Sequence, residues 1–176
     1  MRFSALLAFV AGGLAITLLV ARLIPAAHHF VDIVRPARLW LAWSVAAVAM
    51  AGSLYFSEVA NFVPCKLCWF QRIAMYPLAI VLLIAAVRRD NSINRYVVPL
   101  ASVGGLISIY HYTIEWHPSL SSGSCDITAP CTVPWFREFG FVSLALMALC
   151  GFAAIVSLLT LGPPTADTQG TPEKES

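Results

Sequence analysis

Five apolar stretches, each long enough to cross a bilayer and separated by short polar segments, leave this chain few folds. They cover residues 3–24, 39–60, 69–87, 96–114 and 139–161. At about 1.5 Å of rise per residue, about 20 residues span a hydrocarbon core of roughly 30 Å. No water reaches the backbone there, so each stretch must satisfy its own hydrogen bonds as a helix. Composition agrees: 59% of the 176 residues are hydrophobic and 11% are charged, against roughly 25% charged in a soluble globule. The expected class is an all-α membrane protein whose surroundings are membrane lipid. Eleven Lys/Arg against nine Asp/Glu are too sparse and too balanced for a nucleic-acid surface.

The polar segments set the orientation. Short loops rich in Lys/Arg stay in the cytoplasm. Along the alternation of spans, one side holds Arg22, Arg35, Arg38, Arg88, Arg89, Arg95 and Lys174; the other holds Arg2, Lys66 and Arg137, with Arg72 inside a span. Seven against three puts the loops with Cys65, Cys68, Cys125 and Cys131 on the outer face, where a bacterial cell is oxidising. The same parity bears on residues 3–24. Were they a cleaved signal peptide, residues 25–38 would lie outside and Cys65 and Cys68 inside; no clean small-x-small cleavage site precedes His28. They are expected to be a retained span with its N-terminus outside. The segment 25–38, with His28, His29 and Asp32, is expected outside the bilayer, and the Pro- and Thr-rich tail 162–176 is expected to be disordered.

The stretch that carries chemistry is Pro64-Cys65-Lys66-Leu67-Cys68-Trp69-Phe70-Gln71-Arg72. Two thiols at i and i+3 can close a disulfide or share a metal, and a helix start favours the thiolate. If the helix begins near Cys68, Arg72 lies on the same face four residues on. A cation in a first turn is disfavoured by some tenths of a kcal/mol. A thiolate at Cys68, or the oxygen of a lipid-soluble oxidant, would give Arg72 a reason to be there beyond snorkelling to the interface.

A second pair, Cys125 and Cys131, sits in a loop of small and turn-forming residues. Such a disulfide can meet a soluble protein on one side and Cys65 and Cys68 on the other, as thiol–disulfide exchange requires. Two bland readings stand beside the redox one: a zinc site of all four cysteines, and two inert disulfides. His111, in the outer third of the fourth span, is a functional candidate or a histidine bonded inside the bundle. Glu115 and His117 are expected to be solvated, and Cys150 to be a small core residue. Trp135, Phe136 and Phe139 are expected to anchor the last span at the interface.

Pro64-Cys65-x-x-Cys68-Trp69-x-Gln71-Arg72, then Met75-Tyr76-Pro77, then Cys125 and Cys131 ahead of Phe139-Gly140-Phe141, closely resemble the disulfide bond formation protein B family, nearest its short-loop, BdbC-like branch. The resemblance covers about residues 39–161; residues 1–38 and 162–176 lie outside it. It implies a four-helix transmembrane bundle, here with an additional N-terminal transmembrane helix. It further implies an oxidoreductase of the bacterial inner membrane that reoxidises a periplasmic thioredoxin-like, DsbA-like dithiol protein and passes the electrons to a quinone, ubiquinone or menaquinone. Carried over by position, Cys125 would form the mixed disulfide with the partner. Cys131 would resolve it or exchange with Cys65. Cys68 would contact the quinone, with Arg72 and His111 beside it. The long-loop branch has a glutamate where Gln71 stands.

Overall fold

The computed structural model describes residues 2–23, 28–121 and 129–161, with side chains placed for 5–21, 31–121 and 129–161. Among the described residues the α-helices are α1 (Arg2–Leu23), α2 (His28–Val34), α3 (Arg38–Leu54), α4 (Lys66–Arg88), α5 (Asn94–Trp116) and α6 (Leu144–Leu159). Among the described residues there is no strand beyond one isolated bridge, Glu138 to Val142.

Three helical runs are long and apolar enough to cross a membrane: Val31–Val59, Lys66–Arg88 and Asn94–Trp116; Ala5–Ala21 and Leu144–Leu159 are shorter apolar helices. The first run is continuous because a 3₁₀ turn at Arg35–Ala37 joins α2 to α3 and a π turn at Tyr55–Val59 extends α3. The connection expected at 25–38 is thus helical over the part described, and the tail expected to be disordered lies outside the described residues. Outward positions of α4 and α5 are themselves apolar, with Ile73, Ile80, Val103 and Leu106 all exposed. Water does not tolerate such a surface, and lipid does.

Two helix starts differ from expectation, each because a side chain caps it. α4 begins at Lys66, not near residue 69, because Cys65 takes the N-cap with extended backbone and its sulfur accepts the Cys68 N–H. The last helix begins at Leu144, not at 139, because Ser143 caps it by accepting from the Leu146 N–H. Residues 139 and 140 instead turn the chain at positive φ, 53° at Phe139 and 80° at Gly140, a region that glycine reaches without strain.

α3, α4, α5 and α6 alternate in direction, and α1 packs along α6 with its N-terminal half at the end that carries Cys65, Cys68 and Cys131, since Phe9 meets Phe139 and Phe141 there, each at 5.9 Å. The main core joins Leu18, Ala42, Leu78, Leu82, Phe152 and Leu158 across the helices. α5 and α6 approach so closely that a Cβ on Gly104 would fall 2.4 Å from the Phe152 ring. At the far end Arg38, 1% exposed, donates to the Leu159 carbonyl at 3.0 Å and to Asn91 Oδ1 at 2.6 Å. It thereby ties the start of α3 to the α4–α5 turn and to the negative end of α6.

Candidate functional site

The site occupies the other end, where α3 finishes, α4 begins, α5 finishes and α6 begins. Cys65 is buried at the cap of α4 and Cys68 is half-buried in its first turn. Their sulfurs are 3.0 Å apart, hydrogen-bonded and not covalently joined, and both are free thiols. Arg72 does lie one turn below Cys68, but it neither snorkels outward nor stands alone. Its Nε donates to Ser53 Oγ and an Nη to the Ser53 carbonyl, both at 2.9 Å, and its guanidinium sits 5.3 Å from the centre of the Trp69 ring.

A chain of hydrogen bonds crosses from α5 to the thiols and fixes which atom carries each proton. Ser108 donates to the Gly104 carbonyl at 2.9 Å, so its oxygen accepts from the Gln71 amide nitrogen at 3.1 Å. That orients the amide so that the same nitrogen faces His111 Nδ1 at 3.4 Å. An amide nitrogen donates and does not accept, so Nδ1 is the bare nitrogen and Nε2 carries the hydrogen. Nε2 points at Cys65 Sγ, 3.7 Å away, and at Glu115 Oε1, 3.8 Å away. Cys65 therefore receives the Cys68 thiol, His111 and the Cys68 N–H. These contacts, the Cys68 thiol foremost, outweigh burial and hold the Cys65 thiol down at about 4. The charge of the reduced pair rests on Cys65 at the cap.

His111 thus belongs with Cys65 on the loop side of the dithiol. Glu115, expected to be solvated, is a correction: it is 6% exposed and Oε2 lacks a partner. Its side chain meets Ser143, and its carbonyl accepts from Arg137 at 2.7 Å. The turn of α5 on which it sits is covered by the chain entering α6, so the expected surface position is roofed over. Gln71, Ser108 and Glu115 have functional contacts that residue type alone did not single out. The spacing Ser108, His111, Glu115 along one face of α5 was the available signal.

Cys131 is disulfide-bonded and 1% exposed, and it shares a small buried cluster with Cys65 and Ile114. Cys125 lies outside the described residues. Held in a disulfide, Cys131 offers no thiolate ligand beside Cys65 and Cys68 in this structure. The ligand atoms of Cys65, Cys68 and His111 do lie within 4.8 Å of one another, a donor set of the kind zinc accepts. Cys150 is half-buried against α1, as its small size suits. Trp135 and Phe136 do more than anchor the last span. Trp135 stacks on Phe62 at 5.1 Å and donates to the Val63 carbonyl at 3.1 Å, while Phe136 packs on Phe56 at 5.6 Å. They clamp the segment after Cys131 onto the segment before Cys65.

Two spaces open beside the dithiol. A cavity of about 320 Å³ on the loop side is lined by Cys65, Cys68, His111, Glu115, Pro130 and Trp135, among others. A larger, mainly apolar cleft of about 410 Å³ runs from Cys68, Gln71 and Arg72 down between the helices. Cys68 lines both, and His111 lines the first alone.

An all-helical, multi-pass membrane bundle with a free dithiol packed against a disulfide at one end defines a membrane thiol–disulfide oxidoreductase. Residues 35–162 match the family described as Disulfide bond formation protein DsbB, and the chain belongs to that family. It is 43% identical over 124 residues to Disulfide bond formation protein C of Bacillus subtilis, covering 70% of this chain and 90% of that one. It is 46% identical over 118 residues to Probable disulfide formation protein C 1 of Bacillus cereus, covering 66% and 85%. It is 41% identical over 136 residues to the Probable disulfide formation protein of Deinococcus radiodurans, covering 72% and 88%. No solved structure matches the chain. Its role is in disulfide bond formation.

Proposed function

We propose that this protein oxidises a thioredoxin-like, DsbA-like dithiol protein outside the cytoplasm and delivers the electrons to a quinone of the bacterial inner membrane. The observation that carries the reading is the placement of the free dithiol between the buried, disulfide-bonded Cys131 on the loop side and an apolar cleft on the other. Electrons enter where a soluble protein can reach and leave where a lipid-soluble molecule can.

A thiolate of the donor attacks the loop disulfide of Cys125 and Cys131, one S–S bond forming as another breaks. A second exchange releases the donor oxidised, with two electrons now on the loop pair. The loop pair then reduces a Cys65–Cys68 disulfide by the same two exchanges, leaving the free dithiol. A quinone is the acceptor substrate that takes two electrons and two protons from that dithiol, re-forming the Cys65–Cys68 bond. Cys68 and Arg72, with Ser53 behind it, stand at the polar end of the cleft and fit a neutral carbonyl oxygen there. His111 works on the thiol: its Nε2 hydrogen stabilises Cys65, and Glu115 beyond it can take a proton toward the loop-side cavity.

The test is quinone reduction by the purified protein with a reduced periplasmic dithiol protein as donor, followed by quinone absorbance. Turnover in the wild type and none in Cys68→Ala is expected. A wild type that binds stoichiometric zinc and passes no electrons would instead make the protein a metal-holding scaffold.

A further inference from the structure

α1 lies ahead of the stretch that matches the family, which begins at residue 35, yet it forms part of the cleft that reaches Cys68. A stripe of small residues seats it: Ala5, Ala15 and Ala21 are buried, and a Cβ on Gly12 would fall 3.0 Å from Cys150 Sγ. With that face against α6, the neighbouring face presents Leu7, Val10 and Leu14 at i, i+3 and i+7 to the cleft. The opposite wall is α3, through Leu41, Val45 and Val48. Leu7 to Leu14 spans about 10 Å of helix, so the walled part is long and narrow. Val10 is 69% exposed and Leu7 37% exposed, leaving apolar surface for a ligand to cover.

We infer that α1 is the wall that holds the apolar tail of the quinone whose head lies at Cys68 and Arg72. The inference rests on the quinone reading above and adds to it a second contact region, for the chain of the substrate in place of its ring. The charge at the head end selects this occupant over a phospholipid. Among the described residues Arg72 is the one charged residue lining the cleft, and Ser53 already engages it twice. A phosphodiester would want several free cationic donors; a neutral carbonyl oxygen does not. Seating a tail of several methylene groups between α1 and α3 gains van der Waals contact with both walls for each group.

Val10→Trp in the full chain, purified in detergent, fills the cleft from α1 without touching the thiols. KM for a decyl-tailed benzoquinone should rise about tenfold, KM for the tail-less benzoquinone should change by less than about twofold, and kcat should hold. Ile16→Trp, on the outer face of α1, should change neither. Independently of turnover, a quinone bearing an azide at the tail end should photolabel residues 5–21 of the wild type, found by mass spectrometry. Tail-less quinone should not compete that label away as well as tailed quinone does. A wild type that reduces quinone with the same KM for both probes, or a label on α4 and α5 with none on α1, overturns the inference and leaves the cleft to lipid. A wild type that reduces neither quinone, and is not labelled, overturns the quinone reading itself. Should Val10→Trp not fold, the labelling decides alone.

Discussion

The two ends of the bundle each bury charge, and they use it differently. At one end Arg38 is held by a helix-terminal carbonyl and an asparagine oxygen. A guanidinium does not give up its proton near neutral pH, so this charge is a fixed tie among three elements. At the other end the groups around one cavity are Cys65, Cys68, His111 and Glu115, all of residue types that can gain or lose a proton. They face cavities where Arg38 faces packed helix ends. The difference separates a charge that holds the fold from charges that move through it, and substitutions should divide along the same line.

The largest effect belongs to the thiol end. Cys65→Ser should lower turnover by at least about a thousandfold, since removing one member of a unit that acts together removes its whole contribution. The thermal unfolding midpoint should hardly move; a matching loss of stability would mean that the pair staples the fold. Arg38→Met should do the reverse. Leaving Asn91 Oδ1 without this donor, and the Leu159 carbonyl with Asn94 Nδ2 as its remaining one, should cost about 1–3 kcal/mol in unfolding measurements, while the thiol titration stays where it was. A change in that titration would show the two ends coupled.

Within the thiol end, finer cuts separate neighbours. Glu115→Gln keeps the shape of the side chain and removes its base, so dithiol oxidation measured by rapid mixing should slow by about tenfold, least at low pH, where the carboxylate is itself protonated. An unchanged rate would reduce Glu115 to a packing residue. The smallest effect is expected from Gln71→Leu, read by thiolate absorbance. Cys65 is held down at about 4, so the charged form is favoured. The thiolate is present above that value and takes up its proton as pH falls toward 4. His111→Ala should move that midpoint upward. Gln71→Leu should move it upward by less, because it acts through the tautomer of His111 and not on the sulfur. Equal shifts would show that Gln71 reaches Cys65 by some other route.

Much of this was legible in the sequence, for reasons that are local. The thiol spacing, the apolar runs and Arg72 one turn beyond Cys68 are properties of neighbouring residues on a helix, and the structure keeps them. Glu115 was misread because its burial depends on the chain that returns 28 residues later at Ser143, which no local pattern records. Trp135 read as an anchor for the same reason: its stacking partner, Phe62, is on another loop.

What the sequence alone determined, then, is the class of fold and the place of a thiol pair at a helix start. Hydropathy over about 20 residues decides whether a segment can cross lipid, and a Cys-x-x-Cys at a helix start is reactive by its own backbone. The tertiary structure decided what supports the charge on Cys65 besides the neighbouring Cys68 thiol. That support runs from Ser108 and Gln71 to His111, partners that lie on two helices 37 and 40 positions apart. Packing also decided that α1 completes the cleft at Cys68, because the wall of a site is set by which helix lies beside it in space.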